Sequence, residues 1–227
     1  MTVKLYDLCG ADPAIRFSPP CWLVKFTLLH KGMPFETVPL RFDEKENYPD
    51  PDYGRLPIIV DGGKTVTESR DILLYLDDHD PKGHRLLDGR GRAQFDFING
   101  FAISYLYPSL APKLFLHVHN AIDPRDKAYF REDREKRLGI TLEEAADKDV
   151  TAPLATALKT LDASVRTTDW FHGDEPGAAD FALGSIFIWE RMVKRDPVVE
   201  KPDALGAWFE RTLNLFDGYA RKAPRAT

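Results

Sequence analysis

A serine and a cysteine stand where many redox proteins carry two cysteines. In the stretch FSPPCW, residues 17–22, Cys21 follows Ser18 at the spacing of a C-x-x-C site, with two prolines between them. A C-x-x-C site uses a thiolate whose pKa is lowered at the N-terminus of a helix. In this chain a hydroxyl replaces the first thiol, and a hydroxyl can donate a hydrogen bond to sulfur. The pattern therefore predicts a site for a thiolate that a small molecule supplies.

Ser18 is also a favourable N-cap for a helix predicted at residues 19–31. Proline is tolerated in the first helical turn, and Gly32 is typical of a helix end. The N-terminus of such a helix carries partial positive charge and N–H groups, which favour an anion such as a thiolate. On these residues alone a second interpretation stays open, in which Ser18 only caps the helix.

Two further stretches offer polar groups to a peptide-like ligand. Leu56 precedes Pro57 at the start of LPIIV, and a cis bond there would present the backbone N–H and C=O of Leu56 to an extended ligand. In TESR, residues 67–70, Ser69 could hold a carboxylate at a helix start and Glu68 could pair with an ammonium. An amino-acid head group presents both charges. Each stretch taken singly is also an ordinary start of a strand or helix.

The elements around these residues fall into two groups. Residues 1–80 predict an α/β domain with the order β-α-β, loop, β-β-α: strands at 3–6, 35–40, 56–60 and 65–67, and helices at 19–31 and 69–78. Pro81, Gly83 and Gly89 indicate a linker at 81–92. Residues 93–227 predict an all-helical domain, with helices at 93–119, 123–137, 151–165, 178–193 and 204–220.

The composition is that of an ordinary globular chain. It has 227 residues, of which 43% are hydrophobic and 30% charged. A net charge of −5 argues against nucleic acid as the main partner, because phosphate binding favours a basic surface. Two cysteines favour a reducing compartment over a disulfide framework. With no signal-peptide pattern and no apolar run near the ~20 residues that cross a bilayer, we expect a cytoplasmic protein without a membrane partner.

In this order and spacing, the stretches resemble the glutathione S-transferase superfamily over nearly the whole chain. The similar segments are SPPCWLVKFTLLHKG, RLPIIVDGG and TESRDILLYLDD in the first half and WFHGDEPGAADFAL in the second. The resemblance implies an α/β thioredoxin-like N-terminal domain, an all-α C-terminal domain, a homodimer, and glutathione as co-substrate. It also implies that Ser18 is the catalytic residue that contacts the glutathione sulfur, that Cys21 is structural, and that no metal takes part.

The same resemblance implies a set of glutathione-binding residues. Leu56 would offer its backbone beside a cis Pro57, with Arg55 as a further contact. Glu68 and Ser69 would hold the γ-glutamyl end.

One subgroup of the superfamily is similar in more detail. The S-P-x-C-W-x-x-K pattern and YFREDREKRLGITLEE, residues 129–144, resemble the bacterial lignin β-etherases and their fungal etherase-related cousins. Those enzymes use glutathione to displace an aryloxy group from the carbon next to a ketone. We therefore expect the glutathione thiolate to attack an electrophilic substrate that is aromatic or an aryl ether. A glutathione-dependent isomerase or dehalogenase and a non-catalytic protein that binds aromatic ligands are the alternatives.

Several remaining features receive structural interpretations. The charged run at 123–137 predicts a solvated helix face with i,i+4 ion pairs. His117 and His119 are two apart, so they do not share a helix face and do not indicate a metal site. Gly177 stands where the superfamily has Ser or Thr at the N-cap of its central helix, and Asp180 preserves half of a capping box. Four aromatic residues are expected in the core, with one or two lining a substrate pocket: Phe101, Tyr105, Tyr107 and Phe115.

Overall fold

The structure, a computed structural model of the chain, describes residues 2–79, 85–87 and 91–226. The first part contains one sheet and two helices, with the order β1, α1, β2, β3, β4, α2. Their bounds are Val3–Leu8, Pro19–His30, Phe35–Leu40, Ile58–Asp61, Lys64–Thr67 and Ser69–Asp78, with a short 3-10 turn at Lys45–Asn47.

The four strands lie in the order β2-β1-β3-β4. β1 and β2 are parallel, whereas β3 is antiparallel to both β1 and β4. The alternation of side chains in β1 sends Val3 and Leu5 to one face, where they pack with residues of α1 and α2. This arrangement confirms the predicted thioredoxin-like α/β half.

Residues between the two halves are anchored where the structure describes them. Leu86 and Leu87 are buried. Their N–H groups donate to the Asp77 carboxylate at 2.5 and 3.1 Å, and Lys31 pairs with the same carboxylate at 2.6 Å. The turn residues that indicated a linker, Pro81, Gly83 and Gly89, lie outside the described residues, and the boundaries at 80 and 92 stay predictions.

The second part of the chain is helical, as predicted. Its helices are α3 to α9, with a π-helical segment between α3 and α4 at Ala102–Leu106. The helix bounds are Gly91–Phe101, Tyr107–Ala121, Pro124–Leu138, Leu142–Asp147, Thr151–Ser164, Ala178–Val193 and Asp203–Lys222. The short α6 was not predicted; it begins at Thr141, which forms a capping box with Glu144. No helix in the described ranges is both long and apolar enough to span a bilayer.

The helix predicted at 93–119 is wrong as one uniform helix. The π-helical segment interrupts it, and the N–H of Tyr107 bonds the carbonyl of Ala102, five residues back. Pro108 follows immediately and has no N–H to donate to the carbonyl four residues before it. The local change of hydrogen-bond pattern therefore coincides with the missing donor.

The last helix also departs from the prediction of a continuous element at 204–220. Phe216, Asp217 and Gly218 have left-handed backbone angles, with φ of 54, 57 and 73°. The Asp-Gly pair is a turn signal, and it explains why the helical path breaks there. The break turns Phe216 towards α1, where its ring centroid lies 5.8 Å from that of Phe26.

The core is centred on α8. This helix is buried along almost its whole length and packs against α1, with the rings of Phe26 and Phe181 at 5.5 Å. Its start is fixed by Asp180, whose carboxylate accepts hydrogen bonds from the N–H groups of Phe171, His172 and Gly177 and from the indole of Trp208 at 2.7 to 3.1 Å. A Cβ at Gly177 would come within 2.4 Å of the His172 ring, so the absent Ser or Thr side chain leaves room for that ring.

Candidate functional site

A cavity of about 360 Å³ lies where the two halves meet. Both halves contribute to its wall. The sheet half supplies Ser18, Arg55, Leu56 and Ser69, four of the six site residues predicted from the sequence. The other two, Pro57 and Glu68, are the chain neighbours of lining residues. The helical half supplies a predominantly aromatic and aliphatic wall that includes Ala102, Ile103, Tyr107, Phe115, Phe130, Ile186 and Trp189.

Ser18 is the N-cap of α1 and is buried at the cavity wall. Its side chain makes no capping hydrogen bond, whereas its carbonyl accepts the first helical bond from the Trp22 N–H at 3.0 Å. The next two residues are Pro19 and Pro20, which have no N–H. The start of α1 therefore has fewer backbone N–H donors than a helix start without prolines. The Ser18 hydroxyl and the Cys21 N–H are the donors left for an anion in this turn.

The thiol of Cys21 faces the interior. Burial raises its pKa far above the usual range, with the carboxylate of Asp7 acting in the same direction and a hydrogen bond from Ser18 opposing it. Cys9 is also buried, and burial raises the pKa of its thiol to about 11. Both thiols are therefore protonated at neutral pH, which fits the structural interpretation of Cys21 and the small-hydrophobe character of Cys9.

A buried ion pair supports α1 from below. Lys25 contacts the Asp7 carboxylate at 2.8 Å, and both side chains are essentially inaccessible to solvent. Arg16 approaches the same carboxylate at 3.7 Å. The Lys25 ammonium also lies 4.1 Å from the ring centroid of Trp22, and the indole of Trp22 donates to the Arg16 carbonyl at 2.8 Å. Trp22 packs under the site, and the lysine of the S-P-x-C-W-x-x-K pattern positions the helix.

The Leu56–Pro57 peptide bond is cis. Pairing of β3 with β1 begins at Ile58, opposite Tyr6, so the ladder leaves Leu56 outside it. Leu56 lies at the cavity beside Gly54 and Arg55. Its backbone therefore lies beside the cavity, beyond the end of the ladder between β1 and β3.

Glu68 has an unusual backbone for a residue with a side chain, with φ 60° and ψ 119°. Such conformations cost roughly 1–3 kcal/mol and are concentrated at functional sites. Its carboxylate lies 3.5 Å from the Arg55 guanidinium, which stacks 5.1 Å from the centroid of Tyr53. Burial is the main cause that raises the pKa of Tyr53 to about 12, and the charge and hydrogen bond of Glu68 act in the same direction. The Glu68 carboxylate, which is predicted to pair with an ammonium, therefore lies beside Arg55 next to the cavity.

Ser69 is the first residue of α2 and lines the cavity. The adjacent Arg70 connects this helix to the helical half through two hydrogen bonds to Asp96, at 2.7 and 2.9 Å. Those hydrogen bonds hold the pKa of Asp96 below its usual range. The start of α2 is therefore tied directly to α3.

The far wall of the cavity is aromatic. Tyr107 stacks on Trp189 with centroids 4.7 Å apart, and Phe115 packs against both rings. Of the four aromatic residues considered from the sequence, Tyr107 and Phe115 line the cavity, whereas Phe101 and Tyr105 stack on each other away from it. Tyr105 is 41% exposed, so its predicted place in the core is wrong.

Sequence reasoning missed the contribution of α5. Its predicted ion pairs exist, such as Arg131–Glu135 and Arg137–Asp133 at 2.8 and 2.9 Å. The helix is not only a solvated surface element, because Phe130, Arg134 and Arg137 line the cavity. Their spacing of i, i+4, i+7 places them on one helix face, and that was the available signal.

The loop after β2 covers the cavity and supplies Phe42, Lys45 and Tyr48. It is fixed to the start of α5 by Arg41, which lies 3.4 Å from Asp123, and by Arg125, which lies 3.5 Å from Asp43.

Asp126 of α5 lies buried beneath this loop. Burial and the nearby Asp43 carboxylate raise its pKa to about 6. The seam between the halves therefore contains a buried carboxyl group whose pKa is raised above its usual range.

The arrangement defines a class of protein: a thioredoxin-like α/β unit joined to a helical unit, with a cavity between them that is lined by residues of both. Family models agree. Residues 13–84 match the model described as "Glutathione S-transferase, N-terminal domain", and residues 95–214 match "Glutathione S-transferase, C-terminal domain". The chain belongs to the glutathione S-transferase family.

Solved structures of similar fold cover nearly the whole chain. One is a glutathione transferase, GSTFuA3, from Phanerochaete chrysosporium, with a TM-score of 0.74, 24% identity and coverage of 96% of this chain and 92% of that one. Another is a glutathione S-transferase, CsGST63524, of Ceriporiopsis subvermispora in complex with glutathione, with a TM-score of 0.69, 26% identity and coverage of 98% and 95%.

Proposed function

We propose that the protein is a glutathione transferase that directs the glutathione thiolate at an aromatic electrophile. The observation that carries the proposal is the shared cavity, in which Ser18, the Leu56 backbone and the start of α2 meet an aromatic wall. Glutathione is the co-substrate that fits the family and the polar side of the cavity. The aromatic wall fits the electrophile, because ligand sites combine apolar walls with a few placed polar groups.

Glutathione would lie across the ends of three elements. Leu56 would hydrogen-bond the peptide backbone beside Pro57, with Arg55 at its flank. The γ-glutamyl carboxylate would bind the hydroxyl and N–H of Ser69, where the N-terminus of α2 favours negative charge. Its ammonium would pair with Glu68, replacing part of the contact that this carboxylate makes with Arg55.

Ser18 would act on the sulfur as an electrostatic stabiliser. Its hydroxyl makes no capping bond and borders the cavity. By donating to the thiolate it would lower the pKa of the bound thiol, whose proton leaves to solvent. Because Pro19 and Pro20 contribute no N–H groups, this hydroxyl carries a larger share of the stabilisation than a serine before ordinary helical residues would.

We propose aryl ethers with a neighbouring ketone as the substrate type, on the resemblance of residues 17–25 and 129–144 to the β-etherases. The sulfur would form a bond to the carbon next to the carbonyl, and the carbon–oxygen bond would break as aryloxide leaves with its electron pair. Loss of the ether with formation of a glutathione conjugate supports this proposal. A product that retains its leaving group and contains no glutathione would instead favour an isomerase, and release of halide would favour a dehalogenase.

We also propose that the protein is a homodimer. Phe97 on α3 is 77% exposed, and Ile103 and Tyr105 of the following segment are 54% and 41% exposed, which is unusual for side chains of this size. A second copy would cover them. Light scattering should give twice the mass of one chain, and Phe97→Glu should shift the equilibrium towards the monomer. A monomeric native protein would contradict the proposal.

Calorimetric titration with glutathione tests the core of the proposed function. Heat of binding at millimolar glutathione, and conjugation of a panel of β-aryl ethers and chloroaromatics, are the expected results. Absence of binding heat together with absence of turnover would leave a protein that binds aromatic ligands without catalysis.

A further inference from the structure

The cavity carries a charge pattern opposite to that of the whole chain. The chain has a net charge of −5, yet the charged side chains that line the cavity within the described residues are four cations, with no Asp or Glu: Lys45, Arg55, Arg134 and Arg137. Arg55 lies beside Glu68 on the glutathione side. The remaining three lie on the covering loop and on α5, where the electrophile would bind.

Arg134 is the more buried of the two arginines that α5 contributes to the cavity. Its side chain is 15% exposed, compared with 66% for Arg137. Its guanidinium lies among three aromatic rings, 4.7 Å from the centroid of Phe130, 5.5 Å from Phe115 and 6.0 Å from Phe42. All three rings line the cavity. An aromatic ring bound in this cavity would therefore lie close to a largely desolvated cation.

The hydrogen-bonding groups of Arg134 are only partly used. Nη1 bonds the neighbouring Asp133, which also holds Arg137. Nε is buried and has no hydrogen-bond partner among the residues that the structure describes. Buried polar groups are nearly always paired, so such an N–H is available to a ligand in the cavity that Arg134 lines. The Nε and Nη2 edge of a guanidinium is a planar fork that matches the two oxygens of a carboxylate.

We infer that Arg134 is a specificity-determining residue that binds a carboxylate carried by the aromatic electrophile. The inference rests on the proposed transferase function and deepens it by naming the substrate class, an aromatic acid with a leaving group. The aromatic walls would hold the ring, and the guanidinium would hold the acidic group on the side away from the glutathione sulfur. Arg134 makes no contact with the reacting atoms in this arrangement, so it selects the substrate without taking part in the chemistry.

The test compares a chlorodinitrobenzoate, with chlorine para to the carboxylate, and its methyl ester. In both, the sulfur–carbon bond forms and chloride leaves with the electron pair. Each kcat/KM is divided by the uncatalysed rate constant with glutathione at the same pH, because the ester activates the ring more strongly. For the native protein we expect this normalised value to be about tenfold or more higher for the acid, in line with a charge-assisted bidentate contact.

Three variants assign the preference to one side chain. Arg134→Met keeps the length and apolar stem but removes the charge, and it should bring the acid-to-ester ratio close to one through the acid's KM. Arg134→Lys keeps the charge without the fork and should retain only part of the preference. Lys136→Gln, on the same helix but exposed and outside the cavity, removes one charge and should behave as the native protein. A native ratio near one, or a native-like ratio in folded Arg134→Met, would overturn the inference.

A binding measurement separates this inference from the proposed function. Naphthoate and naphthamide are titrated calorimetrically into the protein without glutathione. Naphthoate should bind about tenfold more tightly than naphthamide. Arg134→Met or Arg134→Lys should reduce this difference in affinity. If glutathione neither binds nor reacts while naphthoate keeps its Arg134-dependent advantage, the transferase proposal fails and the assignment of Arg134 stands. Equal affinity of the two probes would remove the assignment even if conjugation is observed.

Discussion

The two sides of the cavity are built from different parts of the polypeptide. On the sheet side, Ser18, Leu56 and Ser69 lie at or just before the start of an element, where hydroxyl and backbone groups border the cavity. On the helical side, Phe115, Phe130 and Arg134 line the cavity from within helices. The sheet side thus presents short polar groups held at the starts of elements, whereas the helical side presents large side chains held on regular helices.

Removing the Ser18 hydroxyl should have the largest effect on the sheet side. Ser18→Ala should lower the rate at neutral pH by about 10²-fold, within the usual 10²–10³ for one stabilising donor, while glutathione affinity changes little. The two prolines after Ser18 leave few other donors for the sulfur, so the pKa of the bound thiol should rise. A pH–rate profile and an ultraviolet titration of the thiolate measure both effects. An unchanged rate and thiol pKa would restrict Ser18 to a role in the fold.

Loss of the contacts to the γ-glutamyl head group should have a smaller effect, and this effect should be a weaker affinity for glutathione. Glu68→Ala or Ser69→Ala should weaken glutathione binding by about 1–3 kcal/mol, the usual range for a lost charged hydrogen bond. Glu36→Ala, at an exposed position in β2, is the matched control and should bind as the native protein does. If calorimetry finds the same affinity in all three variants, the γ-glutamyl end binds elsewhere.

At the seam between the two sides, Asp126 should make stability depend on pH. Its pKa in the folded protein is raised to about 6, so the folded state binds this proton more tightly than the unfolded chain does. The contribution to stability is therefore present below the unfolded pKa and is lost as pH rises through 6. Asp126→Asn should stabilise the protein at pH ~7.5 by about 1–2 kcal/mol and flatten the urea-unfolding profile between pH ~4 and ~6. A native-like slope in the variant would place the titrating group elsewhere.

Replacing Cys21 should have the smallest effect on activity. The thiol is buried and protonated, so Cys21→Ser should keep most of the transferase activity while lowering the urea midpoint, because a buried polar hydroxyl replaces a small hydrophobe. Cys9→Ser provides the comparison for a second buried thiol. Complete inactivity of folded Cys21→Ser would mean that this sulfur takes part in the reaction.

The contrast between the two sides also explains what could be predicted from the sequence. The sheet side is encoded by local patterns, since a cap before a helix, a proline before a strand and a polar pair at a helix start each have a physical signature. The placement of Glu68 with positive φ has no such signature, because glycine or asparagine is the residue expected there. The roles of these side chains towards glutathione stay predictions.

On the helical side, the sequence patterns predict where the helices lie, but they do not predict which face of each helix lines the cavity. The charged run that contains Arg134 has the composition of a solvated helix. Its composition does not predict that the Arg134 guanidinium lies against the rings of Phe42 and Phe115. The interruption before Pro108 and the turn at Phe216 have local signals, a proline and an Asp-Gly pair, but the contact of Phe216 with Phe26 of α1 joins distant parts of the chain. Such contacts follow from tertiary structure, which periodicity does not contain.

The contact of the chain's last turn with α1 has a consequence for biosynthesis. Trp22 and Phe26 of α1 pack against Tyr219 and Phe216, with ring centroids 5.9 and 5.8 Å apart. A ribosome makes roughly 5–20 residues each second. Roughly 10–40 s therefore pass between the synthesis of Trp22 and Phe26 and the synthesis of the aromatic residues that cover them. During that interval the helix that carries Ser18 presents an uncovered aromatic surface. The nascent N-terminal half is therefore the stage at which this protein would be expected to need a chaperone.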